Sequence, residues 1–143
     1  MINFDLLFEN KESYRLKYLI AKPFPHLTIE NICDSEKLKK MHSQIPLLES
    51  KSRDYMFAKN KFEKSNYGEL GDLFLELQLD LKSDKMNEFL SFISGEKVFV
   101  DPKNHGGGLH QGRKNSFLDM HLDYNYHPIN NNWWREMNLL LYL

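Results

Sequence analysis

Cysteine is almost absent: Cys33 is the only one in 143 residues. That excludes an intramolecular disulfide and any thiolate cluster for zinc or iron–sulfur built by one chain, and it leads to the expectation of a reducing, cytoplasmic setting. An excess of one charge sign is lacking too. Lys and Arg number 19 against 20 Asp and Glu, so neither a long nucleic-acid footprint nor an anionic-membrane surface is indicated. Long apolar runs are missing as well. The longest, Leu139–Leu143, falls far short of the roughly 20 residues that a spanning helix needs. The start, Met1-Ile-Asn-Phe-Asp5, carries acid early and has no basic segment leading into an apolar core, so a signal peptide is not expected. Internal repeats and low-complexity tracts are also lacking.

What the chain does have is core material. Apolar residues make up 41% and aromatics 13%, enough for a single domain spanning residues 1–143 with one core. The pattern changes near Gly95. Before it, helical spacing dominates over residues 1–95; after it, from 96 to 143, extended patterns take over.

Two extended pieces are expected at Tyr14–Ile20 and Phe24–Ile32, the second because His26, Thr28 and Glu30 alternate with Leu27 and Ile29. Asp34 or Ser35 should cap a helix carrying Leu38, Met41, His42 and Ile45 on one stripe and ending at Pro46. Residues 47–66 are polar and read as a loop or a ragged strand around Tyr55–Ala58. Leu70, Leu73, Phe74, Leu77 and Leu81 define one helix. Met86, Phe89, Leu90 and Ile93 define the next, capped by Ser83 and stopped by Gly95. Stripes of this kind are core, not chemistry. Beyond them, extended segments are expected at Val98–Val100, at Leu109–Gln111 after a glycine break, and at Phe117–Tyr126 after a basic loop holding Arg113 and Lys114. Met137–Leu143, apolar on both faces, should be a buried sheet strand.

The triplet His121-Leu-Asp123 carries the chemical information. In a strand, residues i and i+2 project from one face. An imidazole and a carboxylate can therefore grip one cation while Leu122 points the other way into packing. One nitrogen and one oxygen make two-thirds of the 2-His-1-carboxylate facial triad. Alone the triplet is weak: with six histidines and 20 acidic residues, it arises by chance about as often as not. The competing reading is a strand histidine hydrogen-bonded to a nearby acid.

The surroundings of the triplet are more specific. Gly106-Gly-Gly-Leu-His-Gln111, then Phe117-Leu-Asp-Met-His-Leu-Asp-Tyr-Asn-Tyr-His-Pro128, then Arg135-Glu-Met-Asn-Leu-Leu-Leu-Tyr-Leu143 together resemble the 2-oxoglutarate/iron(II)-dependent oxygenase superfamily, in its prolyl 4-hydroxylase-like branch. Pro23–Asn31 resembles the opening strand of that branch. The strong likeness covers residues 106–143. It implies an α+β fold, a double-stranded β-helix (a cupin-like jelly-roll) with packed helices, cut before its closing strands.

The resemblance also implies a dioxygenase that hydroxylates a C–H bond and releases succinate and CO2. His121 and Asp123 would be the first two iron ligands. Tyr142 matches a position where related enzymes bind the distal carboxylate of 2-oxoglutarate; a buried strand tyrosine is the equal alternative. Gln111 stands where many relatives place a tyrosine that touches 2-oxoglutarate, a departure that an amide donor could still serve. Arg135 resembles a position near the substrate mouth, with an exposed strand-end arginine as its plainer reading. Trp133 and Trp134 could wall the substrate or pack a lid. The implied cofactors are Fe(II) and 2-oxoglutarate, with ascorbate a further candidate. The implied partners are 2-oxoglutarate, dioxygen and an unidentified substrate. The resemblance places a second histidine ligand and a basic 2-oxoglutarate-binding residue after residue 143. An incomplete site of this kind is expected to be inactive by itself, and its open sheet edge to self-associate or to receive a further C-terminal segment. The alternatives are a non-catalytic binding or assembly module and a cupin-like metalloprotein with another metal.

Overall fold

The computed structural model describes residues 1–49 and 58–143. They sort into two compact units. A helical unit comprises Met1–Ile45 and Gly68–Pro102, and a ribbon unit comprises Pro46–Tyr67 and Lys103–Leu143. The ribbon unit takes its first segment from the middle of the chain, because the strand there finds its partner in sequence only after the helices have intervened.

The helical unit contains α1 (Phe4–Glu9), α2 (Lys11–Ile20), α3 (Ser35–Ser43), α4 (Asp72–Leu81) and α5 (Asp84–Ser94). Local chemistry sets most of their ends. The Asn3 side chain accepts from Leu6 N to start α1, and Asp34 accepts from Glu36 and Lys37 N to start α3. Ser83 accepts from Met86 N to start α5, and Gly95 closes that helix at φ 85°, a conformation cheap only for glycine. The centres of the expected stripes are core, while Ile45 lies beyond the end of α3 and Leu70 in a separate 3-10 turn before α4. Phe74 and Leu77 on α4, and Met86, Phe89, Leu90 and Ile93 on α5, are buried together with Leu7 and Met41. His42 faces solvent instead of sharing the α3 stripe. Arg15 of α2 lies over the Phe92 ring and donates to the Phe92 carbonyl near the end of α5. Among the described residues no helix is long and apolar enough to cross a membrane.

Met1 carries a structural charge. Its amino group donates to Glu76 and, at 2.6 Å, to Asp80 of α4, while Ile2 N donates to Asp80 at 2.8 Å. Burial pulls the amino group's pKa down, but the hydrogen bonds to Asp80 and Glu76 outweigh it and leave it above its ordinary 8.0. Hydrogen bonds from Lys37 and from the same amino group hold the Glu76 carboxyl below its ordinary 4.5. The two signs bracket a window. A lowered carboxyl stabilises above 4.5 and loses that contribution as pH falls through its folded value. A raised amine stabilises below 8.0 and loses it as pH rises through its folded value. Urea midpoints should therefore carry the full contribution between those limits and decline on both sides. Asp80→Asn should lower the plateau by about 1.5–3 kcal/mol, the range for hydrogen bonds to charged groups. It should also shallow the alkaline decline. An unchanged alkaline limb would show that the amino group is not anchored there.

The ribbon unit is built on β1 (Ala58–Lys64) and β2 (Leu109–Leu118), paired antiparallel. The register runs Lys64↔Leu109 to Lys61↔Gly112 and resumes at Lys59↔Phe117. Arg113–Ser116 therefore bulges opposite Asn60, with Asn60 and Asn115 at φ 52° and 64°. Gly108 opens β2 at φ 120°, and a Cβ there would sit 2.5 Å from Lys64 O, so the backbone approach needs glycine. Ala58, Phe62 and Leu48 form the small core. The Arg113 guanidinium stacks 3.6 Å from the Phe62 ring centroid.

Several extended expectations are corrected. Tyr14–Ile20 lies in α2, where strong helix formers and an edge-on contact of Tyr14 with Phe89 override the short alternation. Phe24–Ile32 and Val98–Val100 are not strands: Ile32 O accepts from Asn3 N, and Val98 and Val100 bond to the Ser91 and Asn87 side chains of α5 in place of a ladder. The segment containing Arg113 and Lys114 belongs to β2 and is not a separate loop. The strand expected over Phe117–Tyr126 stops at Leu118. Met137–Leu143 is neither a strand nor buried, with Leu140 and Tyr142 strongly exposed; a strand needs a ladder partner, and none is present among the described residues. Tyr55–Phe57 lie outside the described residues. Among the described residues the architecture is thus α+β, with five α-helices, one 3-10 turn at Tyr67–Leu70 and a two-stranded antiparallel sheet.

Candidate metal centre

The end of β2 leads into an irregular segment, Asp119–Tyr124, with a bend at Met120, and then a loop that folds back on itself. His127 N donates to Trp133 O at 2.9 Å, Trp133 N to Asn130 O at 2.9 Å, and Arg135 N to Asn125 O at 2.8 Å. An isolated bridge joins Tyr126 to Trp134, with their rings edge to face at 5.0 Å. The His127 Nδ1 accepts from Asn130 N at 2.9 Å and Ile129 N at 3.2 Å, fixing the turn. His127 thus shapes the turn, and Trp133 and Trp134 pack the loop. The return path brings Arg135 back beside Asp123.

There the His121 and Asp123 side chains face each other, Nε2 to Oδ1 at 3.5 Å. The His121 Nδ1 lies 2.7 Å from Asp119 O. A carbonyl only accepts, so Nδ1 carries a proton; in the tautomer with no second proton, Nε2 is an acceptor that faces the carboxylate. The Asp123 Oδ2 receives Arg135 Nη1 at 3.2 Å and Asn138 Nδ2 at 3.2 Å. Two acceptors therefore confront one another. Either a proton on Nε2, giving an imidazolium–carboxylate pair, or a shared cation satisfies them. Donors 3.5 Å apart can both reach one ion at the roughly 2.0–2.2 Å usual for imidazole nitrogen and carboxylate oxygen on a divalent metal. The pair fits such an ion. Among the described residues no third His, Cys, Asp or Glu joins them.

Arg135 is itself supported. Its guanidinium lies 4.9 Å from the Tyr124 ring centroid, and the Tyr124 hydroxyl donates to His105 O at 2.6 Å. The site is open: His121 and Asp123 side chains are 38% and 42% exposed. Leu122, expected to point into packing, is instead 98% exposed. Tyr142, 85% exposed, is not brought to the pair. Gln111 is committed elsewhere, accepting from Leu48 N at 3.0 Å and donating to Pro46 O at 3.3 Å, so it pins residues 46–48 to β2. His110, exposed on β2, has its pKa lowered, chiefly by partial desolvation and further by Lys61. Asn138, Tyr124 and Asp119 were not singled out by the sequence. Their proximity to the triplet was visible, but not the loop closure that gives them their partners. No protein-family model, curated protein or solved structure matches this chain.

Proposed function

We propose that the chain carries the iron-binding part of a 2-oxoglutarate- and iron(II)-dependent oxygenase that hydroxylates a C–H bond. One observation supports this reading above others: His121 Nε2 and Asp123 Oδ1 stand 3.5 Å apart, each with its other polar atom engaged elsewhere. Bound iron(II) with 2-oxoglutarate and dioxygen would supply the oxidising chemistry, with succinate and CO2 as co-products. The chain's own residues hold and orient. His121 and Asp123 would ligate, Asp119 O fixes the imidazole tautomer, and Arg135 stands at the rim. The exposed Tyr142 hydroxyl is offered as a donor to the distal carboxylate of 2-oxoglutarate. The finer fold belongs to the same proposal: β1 and β2 would begin a double-stranded β-helix. The exposed Met137–Leu143 segment would be an edge that receives a further strand.

A second reading, a non-catalytic binding module, is favoured by the exposed apolar side chains Met120, Leu122, Leu140 and Tyr142 around the same segments. Anaerobic titration with iron(II) and 2-oxoglutarate separates the two. The oxygenase reading expects a metal-to-co-substrate charge-transfer absorbance that is lost in His121→Ala. Identical, featureless spectra for the two proteins would reject it in favour of the binding module.

A further inference from the structure

We propose that Arg135 and Asn138 are positioning residues that hold one oxygen of Asp123 so that only the other is offered to the cation shared with His121. The inference rests on the metal reading above. A carboxylate 42% exposed and otherwise untethered would rotate, presenting either oxygen or both. Here Oδ2 takes Arg135 Nη1 and Asn138 Nδ2, each at 3.2 Å, while Oδ1 faces His121 Nε2.

The donors are not loosely held. Arg135 is the least exposed member of the cluster at 25%. It is stacked on Tyr124 and tied through its backbone to Asn125. Three residues on, Asn138 donates a hydrogen bond to the same oxygen, so that bond and the Arg135 ion pair must both break before Oδ2 can turn to the ion.

One-oxygen ligation has a chemical consequence. It leaves free a coordination position that a two-oxygen carboxylate would fill. It also disfavours Ca(II), which readily takes bidentate carboxylates, relative to Mn(II), Fe(II) or Co(II), which suit mixed imidazole and carboxylate donors. The tether therefore sets both vacancy and metal preference.

The test is Mn(II) affinity of the full chain by electron paramagnetic resonance, with Ca(II) as competitor, for the wild type, His121→Ala, Arg135→Lys and Asn138→Ala. Asn138→Ala should lose Mn(II) affinity by about 10–100-fold, the range for partners of metal ligands, while Ca(II) competes better against Mn(II) than in the wild type. Arg135→Lys, which keeps the charge and one donor, should fall between the two. A merely structural role would lower both affinities together. That result, or no change in either while His121→Ala abolishes Mn(II) binding, would overturn the tether and leave the metal site standing. Wild-type Mn(II) binding no stronger than that of His121→Ala would instead overturn the metal site, and the tether with it.

Discussion

Asp123→Asn is expected to reduce Mn(II) or Fe(II) affinity by about 100-fold or more, beyond the range seen when only a supporting partner is lost, while leaving the thermal midpoint nearly unchanged. The substitution preserves shape. Its amide oxygen can still accept from Arg135 and Asn138, which now hold Oδ2. That orientation aims the amide NH2 at His121 Nε2, replacing a carboxylate oxygen with a donor where the cation would sit. The imidazole, whose Nδ1 proton is committed to Asp119 O, can then accept a hydrogen bond from that amide at Nε2, which leaves no lone pair for metal. Equilibrium dialysis against Mn(II), alongside a thermal scan, checks both halves. Metal affinity within a few-fold of wild type would show that the acidic residue is not a ligand. A large fall in midpoint would show that the cluster is chiefly structural.

Phe74→Ala should have the largest effect on stability. Phe74 is 1% exposed on α4 and sits in the core that also buries Leu7, Met41 and Met86 completely. Emptying a ring from such a site costs about 3–5 kcal/mol, through lost transfer energy and the cavity left behind. Typical domain stability is about 5–15 kcal/mol, so the loss is a large share of the total. The thermal midpoint should fall by roughly 10 °C or more. Urea unfolding followed by far-ultraviolet circular dichroism measures it, and a loss under about 1 kcal/mol would show that α4 does not pack through this face.

The helices were legible where one stripe and one cap agreed. Ser83, Met86, Phe89, Leu90, Ile93 and Gly95 reappear as N-cap, buried face and C-cap of α5, because each of those signals acts within a few residues. Asp34 capping α3 is the same case. The strands were less legible, since a strand is defined by its partner. Nothing local marks Ala58–Lys64 as the mate of Leu109–Leu118, or reveals the bulge at Arg113–Ser116. With no strand ladder formed along them among the described residues, Phe24–Ile32 and Met137–Leu143 have strand-like sequences without being strands. At the site, His121 and Asp123 do face each other, although the strand that the two-residue spacing assumed ends at Leu118. The convergence of Arg135 and Asn138 on Asp123 depends on the loop closing through Tyr126 and Trp134. That closure is a tertiary event with no periodicity to read.

The decisive measurement is electron spin-echo envelope modulation of the Mn(II)-loaded full chain, with natural-abundance and 15N-labelled histidine. A shared cation between the two side chains predicts 14N modulation from one imidazole, converted to the 15N pattern by the label and absent in His121→Ala. Modulation from water protons alone, identical in wild type and His121→Ala, would contradict it.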